Sequence, residues 1–283
     1  MTALAENRYG KSRIRLARVK RAPEHHEFRE WTLEVLLQGD FESCFREGDN
    51  SKILPTDTMK NTVYSLARNS STECMEDFAK ELIDFLLGRN PQVSTAEVSV
   101  SQKDWRHLRT GNGKPHPTTF VQSSGECQTT RVTRTQAGKF SVLSGLENLV
   151  IMKTAGSAFE GYIRDPLTTL PEASDRLFGT ALRANWTYAK IDLPFETLRT
   201  KIRAMLLSVF PDHASKSVQH TLYAMGEAVL KAVAEVDDIE LIMPNRHYLL
   251  ADLWKFGQDN PNEIFVPTDE PHGSIEARIR RQG

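Results

Sequence analysis

Cysteine is scarce in this chain: three among 283 residues, Cys44, Cys74 and Cys127, an odd number with no CxxC spacing. That count argues against a disulfide framework and a thiolate metal site, and it suits a reduced compartment. Long apolar runs are missing as well. No stretch approaches the roughly 18–20 apolar residues that span a bilayer, and the opening MTALAENRYG lacks the apolar core of a signal peptide, so a soluble protein with no membrane partner is expected. Neither charge sign dominates, with 36 Lys and Arg against 37 Asp and Glu. The near balance offers no field for nucleic acid or an acidic membrane surface. Also absent are the GxxxxGKS/T phosphate loop, GxGxxG after a strand, the GxSxG elbow and HExxH, which removes the mechanical parts of nucleotide, dinucleotide, serine-hydrolase and zincin sites. The terminal Arg280-Arg281-Gln282-Gly283 is not the small-Lys-Leu tripeptide that addresses proteins to peroxisomes, so a cytoplasmic location is expected.

The histidines do not cluster. His25-His26 sit in a charged hairpin, His107, His116, His247 and His272 stand singly, and His213 and His220 lie near a helix start with no third ligand spaced to help them. The expectation is no metal.

What is present is enough apolar residue, 39%, for a sizeable core, and a length that suits two domains of ordinary size. Residues 11–19 and 31–37 alternate apolar and polar positions, as in Trp31, Leu33, Val35, Leu37, and predict half-buried antiparallel strands. The period then lengthens to that of a helix at Met59, Val63, Leu66 and again at Met75, Phe78, Leu82, Phe85, ending before Gly88. Strand patterns return at 93–100 and 118–122. A second round follows, with strands at 129–135, 149–153 and 185–191, helices through Phe195–Val209 and Leu222–Val233, and strands at 239–243, 248–254 and 275–279. An additional helix is expected at 169–182. The plan is ββααββ twice, in halves 1–138 and 139–283, each an antiparallel sheet under a helix pair. Sheets with helices on one face can close into a barrel, and closing them across subunits would remove their edges, so an oligomer is expected.

Polar residues gather where core connections are expected. Residues 49–62, DNSKILPTDTMKNT, lead into a helix, and Thr56 and Asp57 stand where a hydroxyl and a carboxylate ordinarily cap free N–H groups. Residues 149–176, LVIMKTAGSAFEGYIRDPLTTLPEASDR, run from a strand through a Gly-rich turn to Phe159 and to Arg176, placed on the expected helix. Phe159 could serve as core and Arg176 as a solvated charge. Ser217-Val218-Gln219 opens a helix, and Met243-Pro244-Asn245-Arg246-His247-Tyr248 interrupts a strand with a proline.

Taken in order, Tyr9-Gly10-Lys11, Thr56-Asp57, Gly113-Lys114-Pro115-His116-Pro117, the 149–176 segment with Lys153, Ser157, Phe159, Gly161, Leu170 and Arg176, Val218-Gln219, and Pro244-Asn245-Arg246-His247-Tyr248 resemble the urate oxidase family over nearly the whole chain. The resemblance implies an α+β tandem tunnelling fold (T-fold). It also implies a cofactor-independent enzyme that converts urate, dioxygen and water to 5-hydroxyisourate and hydrogen peroxide. Arg176 and Gln219 would grip the purine edge by paired, partly charge-assisted bonds, Phe159 would stack beneath it, and Val218 and Asp57 would line the site. Thr56 relayed to Lys11 would act as general base with His247 as proton relay, and Asn245 would face the oxygen species or water. In this family the Lys, Thr and Asp come from one subunit and the remaining group from its neighbour, which implies a homotetramer with active sites at subunit interfaces.

The sequence departs from the family pattern at Leu167, where an aromatic is common, at Ala155, where a hydroxyl residue is common, and before Trp105, where some relatives carry histidine. The alternatives are a pterin-type T-fold enzyme, whose cyclohydrolase members use zinc, and a non-catalytic purine-binding oligomer.

Overall fold

The computed structural model describes residues 2–282, and the side chains of all of these but Ser124 and Asp269; Gly283, the last residue of the terminal sequence considered above, lies outside them. The first run of elements is β1 (Tyr9–Arg21), β2 (His26–Gly39), α1 (Glu42–Glu47), α2 (Thr56–Asn69), α3 (Met75–Arg89), β3 (Val93–Arg109) and β4 (Pro115–Thr135). The second is β5 (Ser141–Lys153), β6 (Phe178–Tyr188), α4 (Phe195–Asp212), α5 (Val218–Ala232), β7 (Val236–Ile242), β8 (Asn245–Leu250), β9 (Phe265–Gly273) and β10 (Glu276–Arg280). Each run is ββααββ, with α1 added to the first and the β8–β9 hairpin inserted before the closing strand of the second. Compactness divides the chain into Met1–Gly145 with Lys190–Glu196, and Leu146–Ala189 with Thr197–Gly283. Among the described residues no helix is long and apolar enough to cross a membrane.

In the first unit the strands follow the order β1-β2-β3-β4, with every one of these pairs antiparallel. Register places Leu33 opposite Val100, Val35 opposite Val98, and Val98 opposite Val132. These side chains share one face with Trp31 and Leu37, and all are buried. The apolar stripe of α2 (Met59, Val63, Ala67) and that of α3 (Phe78, Ala79, Leu82, Ile83, Leu86) are buried too, with the Phe78 ring 5.4 Å from Trp31. Each large side chain taken out of water there contributes on the order of 1.5–3 kcal/mol, far more than helix propensity does, so the spacing of apolar residues decides which segments become helix.

The second unit repeats this with Phe178, Thr180, Leu182, Ala184 and Trp186 alternating on β6, all buried. Trp186 faces Ile239 and Ala184 faces Leu241 on β7, which in turn pairs with β10. Helix α5 buries Leu222, Met225 and Val229. Gly226 lets it approach closely, because a Cβ there would lie 2.7 Å from Ile279 of β10.

Several expectations need correction. The helix expected at 169–182 does not form: Pro171 lies within the segment, 174–177 is irregular, and Leu182 lies at the centre of β6. Residues 129–135 close the first half as the end of β4, paired with 95–101 of β3, rather than opening the second. The strand expected through Trp254 stops at Leu250. The Asp252 carboxylate then accepts the Trp254 N–H at 3.2 Å, turning the chain into a short 3-10 segment that leaves Trp254 exposed. Helix α3 continues through Gly88 to Arg89. Strand β9 and helix α1 have too little apolar periodicity to be read in advance: α1 buries no residue.

On the polar face of the first sheet Glu30 is the hub. Its carboxylate accepts from Arg15 at 2.7 Å and from the Trp105 indole at 3.1 Å, and Lys103 lies 3.0 Å away. Arg15 above all, then Lys103, hold this carboxyl down at about 2, against an ordinary value of 4.5. A depressed folded pKa contributes stability above the unfolded value and loses it as pH falls through the folded one. Glu30→Gln should therefore be less stable than the parent above about pH 4.5, with the gap closing as pH falls towards 2; urea unfolding at a series of pH values measures this, and a pH-independent gap would refute it.

Candidate functional site

Two groups of sequence-selected residues form, one in each compact unit. In the first unit, Gly10 has no room for a side chain, since a Cβ would lie 1.8 Å from the Val35 carbonyl oxygen. This tight contact admits β1 to β2 beside Tyr9 and Lys11. The Tyr9 hydroxyl donates to the Leu54 carbonyl at 3.2 Å and accepts the Leu54 N–H at 2.8 Å, tying the loop before Thr56 to β1. Burial pushes the Tyr9 phenol above its ordinary pKa, so it keeps the proton it donates. An Asx turn at Asp49–Ser51 and a Gln92 amide bond to the Lys52 carbonyl hold the same loop.

Just after Lys11 the β1–β2 register shifts, and Arg13 takes φ 58°, a left-handed conformation costing a non-glycine residue on the order of 1–3 kcal/mol. The bulge re-aims the strand at the residue expected to carry base chemistry. Helix α2 starts at Thr56 with Pro55 as its N-cap and no side-chain cap bond. The capping explanation for Thr56 and Asp57 therefore fails. The Asp57 carboxylate instead takes bonds from Lys60 and, at 3.1 Å, from the Asn61 amide. Lys60 first and Lys11 last among the causes lower its pKa, so Lys11's charge reaches Asp57.

In the second unit, short backbone pairings fasten three segments together. Phe159 and Ala173 form an antiparallel bridge with N–H···O distances of 2.8 and 3.1 Å, and Ser157 and Ser215 form a parallel one in which Ala158 N–H reaches Ser215 O at 2.7 Å. The Asp175 carboxylate accepts the Ser157 N–H at 3.0 Å. Phe159, Arg176 and the Val218-Gln219 helix start are thereby brought into one place. Ser217 caps α5 by accepting the His220 N–H, leaving Val218 buried and Gln219 exposed.

The Arg176 guanidinium lies 5.1 Å from the centre of the Phe159 ring. Its Nε is buried and has no hydrogen-bond partner among the described residues, and burial lowers its pKa. A donor left in that state costs about 1–3 kcal/mol until an acceptor meets it. The group is thus arranged to take a flat ligand with acceptor atoms on its edge.

Asn245 and His247 lie two apart on β8. After Ile242, which pairs with Arg183 of β6, the ladder breaks at Met243-Pro244, where proline has no N–H, and resumes with Asn245 opposite Thr180 and Arg246 opposite Gly179. Asn245 is therefore held on β8 against β6, the strand that follows Arg176.

His213 and His220 hydrogen-bond each other, Nε2 to Nδ1 at 3.2 Å, and Lys153 donates to the His213 carbonyl at 2.6 Å. Among the described residues no group of three or more His, Cys, Asp or Glu could hold a metal ion. Sequence reasoning did not anticipate the Tyr9 tether, the Ser215 pairing or the role of Asp175. Only the adjacency of Asp175 to Arg176 offered a signal.

A family model described as Uricase matches residues 7–133 and 142–276. A Uricase from Arthrobacter globiformis is 36% identical over 280 residues, covering 99% of this chain and 90% of that protein. A Uricase from Dictyostelium discoideum is 36% identical over 283 residues, covering 99% and 98%. The crystal structure of the Arthrobacter globiformis uricase superposes with a TM-score of 0.93 at 35% identity, covering 100% of this chain and 96% of that one.

Replacing Tyr9 with Phe removes both bonds to Leu54, at a cost of about 1–3 kcal/mol. Hydrogen exchange should quicken in residues 50–55 more than in β2 or α3, and uniform protection would show that Tyr9 does not hold the loop.

Proposed function

The chain belongs to the uricase family and is a urate oxidase of the α+β T-fold, and from that premise we propose that it converts urate, dioxygen and water to 5-hydroxyisourate and hydrogen peroxide without a metal or organic cofactor. The observation that carries the site assignment is the buried, unpartnered Nε of Arg176 beside the Phe159 ring. A urate anion supplies a flat ring and acceptor atoms on one edge. Arg176 and the exposed Gln219 amide bind that edge, Val218 closes the apolar side and Phe159 sets the plane.

Two electrons pass from deprotonated urate to dioxygen, which leaves as peroxide, and water supplies the new hydroxyl at C5. The protein's task is to take protons and hold the partners in place. Thr56 relays a urate proton towards Lys11, Asp57 keeps that amine company as a charge partner, and His247 moves a proton on the oxygen side. Asn245 hydrogen-bonds the oxygen species or the attacking water above the ring. This bond matters more in the transition state than in the ground state.

The Lys11, Thr56 and Asp57 group and the Phe159, Arg176, Gln219 and Asn245 group belong to different compact units, a division that suits the duplicated halves 1–138 and 139–283. We place them together across the interfaces of a homotetramer, one group from each of two protomers.

Purified protein treated with chelator should bleach urate absorbance with stoichiometric peroxide, and absence of urate-dependent oxygen uptake would overturn the assignment. Lys11→Met and Thr56→Ala should each lower kcat on the order of 100-fold while KM stays within about twofold. Arg176→Ala should instead raise KM by roughly 10- to 100-fold, the range for a lost charged hydrogen bond. Equal effects of all three on kcat and KM would refute the division of roles.

A further inference from the structure

The Phe159 ring does not stand alone. Tyr162 lies against it with ring centres 4.9 Å apart and planes inclined by only 14°, and the Arg164 guanidinium lies 5.3 Å from the Tyr162 ring centre. Arg176 lies 5.1 Å from the Phe159 ring centre, so each ring of the pair has a guanidinium near it.

The loop that carries them is built to keep this arrangement. Gly161 takes φ 69°, open to glycine at no steric cost, and the chain doubles back there so that residue 162 falls on residue 159. The Gly161 N–H donates to Glu172 at 3.1 Å, the Tyr162 hydroxyl donates to the Leu170 carbonyl, and the Phe159–Ala173 bridge closes the base. At the tip Asp165 and Thr168 close a turn, with the Asp165 N–H on the Thr168 hydroxyl at 2.9 Å. Leu167, where the family often has an aromatic, is exposed at this tip and takes no part in the stack.

We propose that Tyr162 is a positioning residue for substrate binding: its ring occupies one face of Phe159, fixes the Phe159 plane before urate arrives, and leaves the purine the other face. The inference rests on the reading of Phe159 as the urate platform. A phenylalanine on a half-exposed loop would otherwise lose side-chain freedom each time a purine stacked on it; stacking on Tyr162 transfers that loss from binding to folding. The two guanidinium groups add a second effect. An aromatic face is negative, which opposes an anion above it, and cations drawn to the paired rings offset that repulsion.

The test compares steady-state urate kinetics of the assembled enzyme with Tyr162→Leu and Tyr162→Phe, with oligomer size and thermal unfolding checked for each. Tyr162→Leu should raise KM by roughly two- to tenfold, the range for one lost aromatic stack, with kcat within about twofold. Tyr162→Phe keeps the ring but not the bond to Leu170, and should restore KM to near the parent value. If the leucine variant does not fold, Tyr162→Met repeats the truncation with a flexible side chain of similar bulk. A parent enzyme that consumes urate while the leucine or methionine variant shows an unchanged KM, or a fall in kcat alone, overturns the inference and leaves the function intact. A parent protein that neither binds nor consumes urate overturns both.

Discussion

A β-strand shows alternate side chains to opposite faces, and in both units of this protein one of those faces is kept dry by a pair of helices. Trp31, Leu33, Val35 and Leu37 on β2, and Phe178, Leu182, Ala184 and Trp186 on β6, are the two rows on which this depends. A slip of one residue in either row would turn every one of these side chains towards solvent, so register is held by the sum of their burial. The remaining face is free to carry charge. Glu30, Arg15 and Lys103 gather there, and the strand ends and connections are left for binding and chemistry.

The residues assigned to chemistry sit where the regular ladder is interrupted. Lys11 borders the bulge at Arg13, Asn245 follows the proline break after β7, and Phe159 and Arg176 stand in irregular segments before β6. An unbroken ladder would consume the backbone groups and point side chains along the sheet normal. Interruptions re-aim them, and each here is secured by specific bonds: Tyr9 to Leu54, Ser157 to Asp175, Phe159 to Ala173. Rigidity in these loops comes from hydrogen bonds rather than from buried apolar area, which is why a modest number of polar residues governs the site.

Much of the fold was legible in one dimension because its signals are local. Period-2 alternation marked β1 and β2, the longer period marked α2, α3, α4 and α5, and Pro244 marked the break in β7–β8. The segment 169–182 misled because its polar and apolar spacing looks helical, whereas Pro171 and the pull of Leu182 into the β6 core decide otherwise. Ser217, read as opening a helix, caps α5, but Thr56 and Asp57 do not cap α2: Pro55 takes the cap position, and Asp57 bonds Lys60 and Asn61 instead.

By itself the sequence determined the two-sided character of each strand, the helical stripes, the lack of a phosphate-loop motif or CxxC pair, and the motifs that resemble the urate oxidase family. These depend on near neighbours along the chain or on composition, and both can be read without coordinates. Only the tertiary structure decided that the Arg176 Nε is buried without a partner, that Tyr162 lies flat on Phe159, and that Ser215 and Ala173 pair with Ala158 and Phe159. Those facts depend on contacts set by how loops close over a finished core, and no periodicity in the chain encodes which loop atom meets which.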